Sequence, residues 1–337
     1  MRHHLLLVVA CTVLPFALYA VWAMASLHNR DMRRTASNLV TSVCALSVVP
    51  DQVFALGEVR LRELLASAAL PPAASPANVP DAPSVLAALR ATPPARTLAR
   101  MGSLRFYNAR GRDIEALSAA TPADPVPESW RQVLVRVARD GQVEVTDLLD
   151  RRVGILVPAP PGLPFAVTAL WLAPETLSGA LRQRLMQEDW TAILMDRHGV
   201  VVARTRGGEE MVGRPAPPEI VAGLARAPEG VLPYVRNQEG VMAIMAWSRL
   251  STEGYSLALS MPRASFYQRM LRDYLPAAGV ALLLLAGSLL LTLRITRRIR
   301  DALGLLADQG RSGTVLALPT GIREIAEVSA ALSVAAV

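Results

Sequence analysis

The sequence predicts an α+β fold: two tandem strand-and-helix modules with a long N-terminal helix, flanked by two transmembrane helices. Three observations predict it. Leu275–Leu293 (LPAAGVALLLLAGSLLLTL) is an uncharged run of about nineteen residues, enough to cross a hydrocarbon core of roughly 30 Å at about 1.5 Å per helical residue. Leu5–Ser26 (LLLVVACTVLPFALYAVWAMAS) is a second uncharged run of about 22 residues. Between the two, short apolar strands bounded by turn residues alternate with helical stretches, in an order that occurs twice.

Composition narrows the class. A chain of 337 residues has room for two or three domains. Its 52% hydrophobic content and mean hydropathy of +0.32 are high for a soluble protein, and the two uncharged runs supply part of the excess. The formal charge of +7 raises the question of nucleic acid. All 35 basic residues are arginines, however, and outside one cluster they are scattered among 28 acids in a chain rich in alanine and proline. That is the composition bias of a GC-rich genome rather than a binding face, so no nucleic-acid partner is expected. Cys11 lies inside the first run, which leaves only Cys44 outside and excludes an intramolecular disulfide there. Cys44 could cross-link a symmetric dimer; the plainer reading is a small buried side chain.

Taken in order, residues 1–4 form a short terminus and residues 5–26 the first span. Ala23-Met24-Ala25 before Ser26 fits a cleaved signal, and Val8-Val9-Ala10-Cys11 a lipoprotein signal with too short an apolar core. Full spanning length favours an uncleaved anchor, kinked at Pro15. The second span is followed by Arg294, Arg297, Arg298 and Arg300, four arginines in seven positions. Such a cluster marks the cytoplasmic end and places these side chains at the lipid head groups. Two spans then put both termini inside. Arg30, Arg33 and Arg34 after the first span run against this bias, which long translocated domains largely escape.

Residues 27–70 continue as a periplasmic stalk helix. Leu39, Val43, Leu46 and Val49 recur at helical spacing, and after Pro50 the pattern resumes at Leu56, Val59, Leu61 and Leu64-Leu65. Such a stripe on a helix leaving a membrane predicts packing on a partner helix, hence a homodimer. The proline-rich Leu70–Pro83 ends the helix.

Residues 71–186 form a membrane-distal module. Ser103–Asn108 and Ile114–Leu117 read as strands around a turn, Pro127–Asp140 as a helix ended by Gly141, then Val143–Leu149, Val153–Val157 and Pro164–Leu172 as strands, and Pro174–Met186 as a helix. Residues 187–262 form a membrane-proximal module with strands at Asp189–Asp196, Val200–Arg204, Gly230–Val235, Val241–Trp247 and Tyr255–Ser260 and a helix at Glu219–Ala225. Pro262–Tyr274 is helical and continues into the span, giving a connecting segment over 263–293 and a cytoplasmic tail over 294–337.

Asp196-Arg-His-Gly-Val-Val-Val-Ala-Arg204, Val212-Gly213, Gly240–Trp247 and Gly254-Tyr-Ser-Leu-Ala-Leu-Ser-Met-Pro262 resemble the membrane-proximal half of a double Cache region. These are the tandem PAS-like extracytoplasmic sensors of bacterial receptors. Val145-Thr-Asp147-Leu-Leu149 and Arg151–Val157 resemble the matching distal strands. The tail from Arg297-Arg-Ile-Arg300 through Leu318-Pro-Thr-Gly-Ile-Arg-Glu324 to Leu332 resembles a HAMP-like linker of sensor histidine kinases. It departs in carrying Asp301-Ala302 where the first helix usually has proline, and it stops at Val337. The resemblance implies two Cache modules, a small-molecule ligand and an output kinase beyond this chain or encoded separately. The R-x-W-Y run of the amino-acid-binding distal module has no counterpart, Glu128-Ser-Trp130-Arg131 being different, so amino-acid sensing is not implied.

No catalytic apparatus is expected. The four histidines, His3, His4, His28 and His198, avoid the tail, so none can serve as a cytoplasmic phospho-acceptor. No glycine-rich phosphate loop, nucleophile elbow, cofactor motif or metal-ligand spacing occurs. Gly207-Gly-Glu-Glu-Met211 superficially resembles a diguanylate cyclase signature but has methionine in place of phenylalanine and lies in an outer hairpin; we read it as a turn. PAS-like modules bind ligands between the sheet and its covering helices. The candidates are therefore Arg105, Tyr107, Trp130 and Trp171 in the distal module, each of which could equally be packing. Trp190, Tyr234 and Trp247 of the proximal module are expected in its core. The expected function is an inner-membrane receptor signalling through a histidine kinase. A cyclase or chemotaxis output, a kinase-less adaptor and, less favoured, an anchored periplasmic enzyme are the alternatives.

Overall fold

The computed structural model describes residues 2–68, 82–116, 126–185, 187, 189–252 and 254–312. By contacts the chain forms two units, Met1–Ser265 and Phe266–Val337.

The first unit is built along helix α1 (Arg2–Ala68), which passes without interruption through Pro15 and Pro50. Leu39, Val43 and Leu46 are buried, as are Phe54, Leu61, Leu64 and Leu65. These members of the predicted stripe pack on the chain's own sheets, where the sequence suggested a partner helix. The aspartate after Pro50 fixes the register of this packing. Asp51 accepts hydrogen bonds from the Ser251 and Thr252 amides at 2.8 and 2.9 Å and from the Thr252 hydroxyl at 2.7 Å. Leu56 and Val59, which the periodicity places in the same stripe, are instead about half exposed, with Val48, on the opposite side. The proline-rich break lies at 69–81, outside the described residues, and is followed by two helices the sequence reading did not assign, α2 (Ala82–Arg90) and α3 (Pro93–Met101). Thr92 caps α3 ahead of Pro93 and Pro94, a standard helix start.

The distal sheet contains β1 (Ser103–Tyr107), β2 (Asp113–Ala116), β3 (Glu144–Val145), β4 (Val153–Pro158) and β5 (Val167–Leu172) in the order β2-β1-β5-β4-β3. Helix α4 (Glu128–Asp140) lies between β2 and β3 and ends at Gly141 in the left-handed conformation. Helix α5 (Pro174–Arg184) links this sheet to the next. The proximal sheet, β6 (Thr191–Met195), β7 (Val201–Arg204), β8 (Glu229–Arg236), β9 (Met242–Arg249) and β10 (Ser256–Pro262), has the equivalent order β7-β6-β10-β9-β8. A four-residue helix α6 (Gly208–Met211) stands where the sequence predicts only a turn, and α7 (Pro218–Arg226) covers one face. All sheet pairings are antiparallel.

One local device recurs at three hairpins. Asn108, Asp196 and Asn237 each accept two backbone N–H bonds on a side-chain oxygen, from residues two and four positions ahead. In each case the third residue ahead is a glycine at positive φ, namely Gly111, Gly199 and Gly240. The short side chain substitutes for a backbone turn, and glycine supplies the left-handed step without a Cβ penalty.

In the second unit, the part of helix α8 (Arg263–Ser312) beyond Ser265 contains Pro276. The stretch Arg263–Arg298 contains an 18-residue window with a mean hydropathy of 2.1 and is long and apolar enough to cross a membrane. Arg294, Arg297, Arg298 and Arg300 are exposed on it. Leu5–Ser26 is helical within α1, with most of its side chains outside the described residues. The later part of the HAMP-like tail, 313–337, also lies outside them.

Candidate functional site

The distal sheet presents alternate residues to α4. Register places Ser103 opposite Trp171, Arg105 opposite Ala169, and Tyr107 opposite Val167, so these side chains share one face. Tyr107, Trp130 and Trp171 belong to one buried cluster with Leu134, Val137 and Leu156. The Trp130 and Trp171 rings stack at a centroid separation of 3.8 Å and an interplanar angle of 20°. The Trp171 indole donates to the Tyr107 hydroxyl at 3.0 Å. The stack also needs room over β4. A Cβ at Gly154 would approach the Trp171 ring to 2.7 Å, so only glycine lets the indole lie there.

Arg105 stands on the same face and is buried. It donates to the Asp113 carboxylate at 2.9 Å. Asp113, expected in the turn before the second strand, begins β2 and is the fifth member of the site. Its signal was available, since an acid eight residues from an inward-facing arginine on a paired hairpin can reach it. Burial pushes the Asp113 carboxyl above the usual range, with the Arg105 guanidinium opposing the shift. Burial also raises the Tyr107 phenol, and Asp113 adds to that.

Polar pairing at this cluster is incomplete. Arg105 Nε, Asp113 Oδ1, Trp130 Nε1 and Ser103 Oγ are buried without a hydrogen-bond partner. Buried polar groups are nearly always paired, so several orphans within one cluster require an explanation. Two donors, an acceptor and a hydroxyl left unpaired on the elements that hold an aromatic stack are groups a small polar ligand would use. The structure thus brings Tyr107, Trp130 and Trp171 into direct contact, with Arg105 on the same face held by Asp113.

Elsewhere, a groove of about 420 Å³ lies between α1 and the segment after α5, and Leu46, Val49, Leu185, Trp190 and Leu259 are among its walls. It contains none of the expected ligand residues, and its lining mixes these apolar side chains with Ser42, Gln52, Arg184 and Gln187. Trp190 and Trp247 are buried as expected. Tyr234 is 53% exposed, against expectation, because β8 shifts register between Leu232 and Val235. The Arg263 guanidinium covers its ring at 4.5 Å. Among the described residues no group of metal-ligating side chains occurs.

The two modules touch through the segment after β3. Asp147 binds Arg197 at 2.7 Å and lies 3.4 Å from His198. Asp196 accepts from the Leu148 amide at 3.4 Å, and the Tyr255 hydroxyl donates to the Thr146 carbonyl.

This two-sheet architecture has solved counterparts. The extracellular domain of rpHK1S-Z16, a protein described as a histidine kinase, superposes with a TM-score of 0.52 at 16% identity, covering 68% of this chain and 95% of that one. The periplasmic sensory domain of the Campylobacter jejuni chemoreceptor Tlp1 gives 0.50 at 11% identity, covering 70% and 98%. The fold is that of a double Cache sensor region. The ligand-binding domain of the Pseudomonas aeruginosa amino acid chemoreceptor PctB, in complex with L-Gln, gives 0.47 at 17% identity, covering 72% and 98%. No protein-family model and no curated protein sequence matches the chain.

Proposed function

We propose that the protein is a membrane signal receptor whose distal Cache module binds a small polar molecule at the Arg105–Asp113–Tyr107–Trp130–Trp171 cluster. The observation that carries this reading is the set of unpaired polar atoms buried beside the Trp130–Trp171 stack. The fold shared with sensory domains of a histidine kinase and a chemoreceptor supports it.

A ligand shifts a receptor only by binding its two states unequally. The contacts offer a route for that shift. Leu156 of the cluster pairs with Glu144 of β3, and β3 leads into Thr146 and Asp147, which hold Tyr255 and Arg197 of the proximal module. Tyr255 precedes β10, which ends at Pro262 where α8 begins. In this reading Leu5–Ser26 and Leu275–Leu293 cross the inner membrane, residues 27–273 lie in the periplasm, and both termini are cytoplasmic. The arginines at 294, 297, 298 and 300 face the inner head groups. The HAMP-like tail passes the signal to a histidine kinase-type output. A chemotaxis or cyclase output shares every feature of the outer region. The exposed Val48, Leu56 and Val59 on α1 lie on one helical face with Ala45 and Gln52, a seam suited to a second copy of the chain in a homodimer.

The test is a thermal-shift panel of amino acids, small organic acids and nucleobases on the full chain in detergent. A compound that stabilises the native chain, with its effect lost in Trp130→Leu and Arg105→Gln, supports the reading. A stabilising compound whose effect survives both substitutions contradicts it.

A further inference from the structure

The proximal module contains a second buried arginine that the distal reading does not use. Arg204 pairs in register with Ile193, placing it on the sheet face that α7 covers. Its side chain is 1% exposed, and its charged partner among the described residues is Glu239, at 2.7 Å from one terminal nitrogen. The Nε and the other terminal nitrogen, Nη1, are buried with no acceptor. A guanidinium offers five N–H donors in a fork matched to a two-oxygen anion. Held by a single carboxylate oxygen, Arg204 is a buried cation with most of its donors unmet, which is costly unless something else pairs them.

Glu239 is poorly committed to this position. It sits at the tip of the β8–β9 turn, and its side chain is 44% exposed. The neighbouring Gln238 holds the turn against the Pro215 carbonyl at 2.6 Å, while its own side-chain oxygen is unpaired. Gly207, at φ +61°, leaves the approach open. A Cβ there would lie 3.2 Å from the Glu239 carboxylate and 3.9 Å from the Arg204 terminal nitrogen.

We propose that Arg204, Glu239 and Gly207 form a second, anion-binding site in the proximal module, which takes a small carboxylate of acetate to propionate size. Glu239 is its internal occupant. The volume filled by the Glu239 carboxylate shows that such a group fits, and the exposure of that side chain lets it swing outward. A free carboxylate then pairs with two nitrogens of the fork where Glu239 pairs with one, and the released turn changes the edge of the sheet that ends in α8.

The experiment uses the full chain in detergent, titrated with sodium acetate against sodium chloride at equal ionic strength and followed by calorimetry and melting temperature. An internal competitor that fills the site nearly all the time weakens apparent affinity by about ten- to a hundredfold. Glu239→Ala should therefore bind acetate tighter than the native chain by that factor, and Glu239→Ala with Arg204→Met should lose the binding. Hydrogen exchange on Glu239→Ala places the site independently of any arginine variant, with acetate expected to protect 201–207 and 236–241. A folded Glu239→Ala chain with no saturable acetate binding overturns the proposal. So does binding that survives Arg204→Met, or protection confined to other segments.

Discussion

Asp147 of the distal module and Arg197 of the proximal module, fifty residues apart, form an ion pair of 2.7 Å. It sits at the junction of the two modules. Both side chains are partly exposed, so the pair contributes only about 0.5–1 kcal/mol of coupling. A double-mutant cycle with Asp147→Ala and Arg197→Ala, read by unfolding of the full chain, should show that non-additivity. Strict additivity would remove the pair from the coupling route.

Asp51 is the tightest link between α1 and the proximal module. Asp51→Ala leaves the Ser251 and Thr252 amides without their acceptor and should cost about 1–3 kcal/mol. Asp51→Asn keeps an acceptor oxygen and should cost less. Equal losses in the two variants would show that charge, not hydrogen bonding, holds the turn.

Gly154 marks the space under Trp171. Gly154→Ala forces a Cβ to within 2.7 Å of the ring, an overpacking that costs about 1–3 kcal/mol. Loss of the stack should also redshift tryptophan emission as the ring meets water. A stable variant with native emission would contradict the packing described.

The raised Asp113 carboxyl gives a pH signature. Because the proton is held more tightly in the folded state, the contribution is fully present below the unfolded carboxylate pKa. It is lost as pH rises through the raised folded value. Asp113→Asn removes that loss, so its melting temperature relative to the native chain should climb between strongly acidic and neutral pH. A difference that is flat, or that falls with pH, would contradict burial as the dominant influence on Asp113.

Much of the fold was legible because its signals are local. The Asn108, Asp196 and Asn237 turns announce their hairpins, and Gly141 announces the end of α4. The helices at 82–101 were overlooked beside a proline-rich stretch, although Thr92-Pro93-Pro94 is itself a helix start. Strand β3 is shorter than Val143–Leu149 suggests because the chain leaves the sheet at Thr146 to reach the proximal module. It returns through Asp150 and Arg151, both at positive φ without glycine to advertise the turn. Tyr234 moved outward through a register shift that periodicity cannot foresee. At the site, the aromatic residues were legible as candidates, but their stacking, the Arg105–Asp113 pair and the buried orphans depend on cross-strand register and α4 packing. The Asp147–Arg197 contact depends on how two modules meet, for which neither segment carries a local signal.

The most direct test of ligand binding at the Trp130–Trp171 cluster is hydrogen–deuterium exchange on the full chain in nanodiscs, with and without the panel compound that most raises its melting temperature. A ligand held at the distal cluster should protect 103–107, 128–137 and 167–172, with a smaller change at 144–148 and 196–199. Protection confined to the proximal module or to α1, with the Trp130–Trp171 region unchanged, would contradict it.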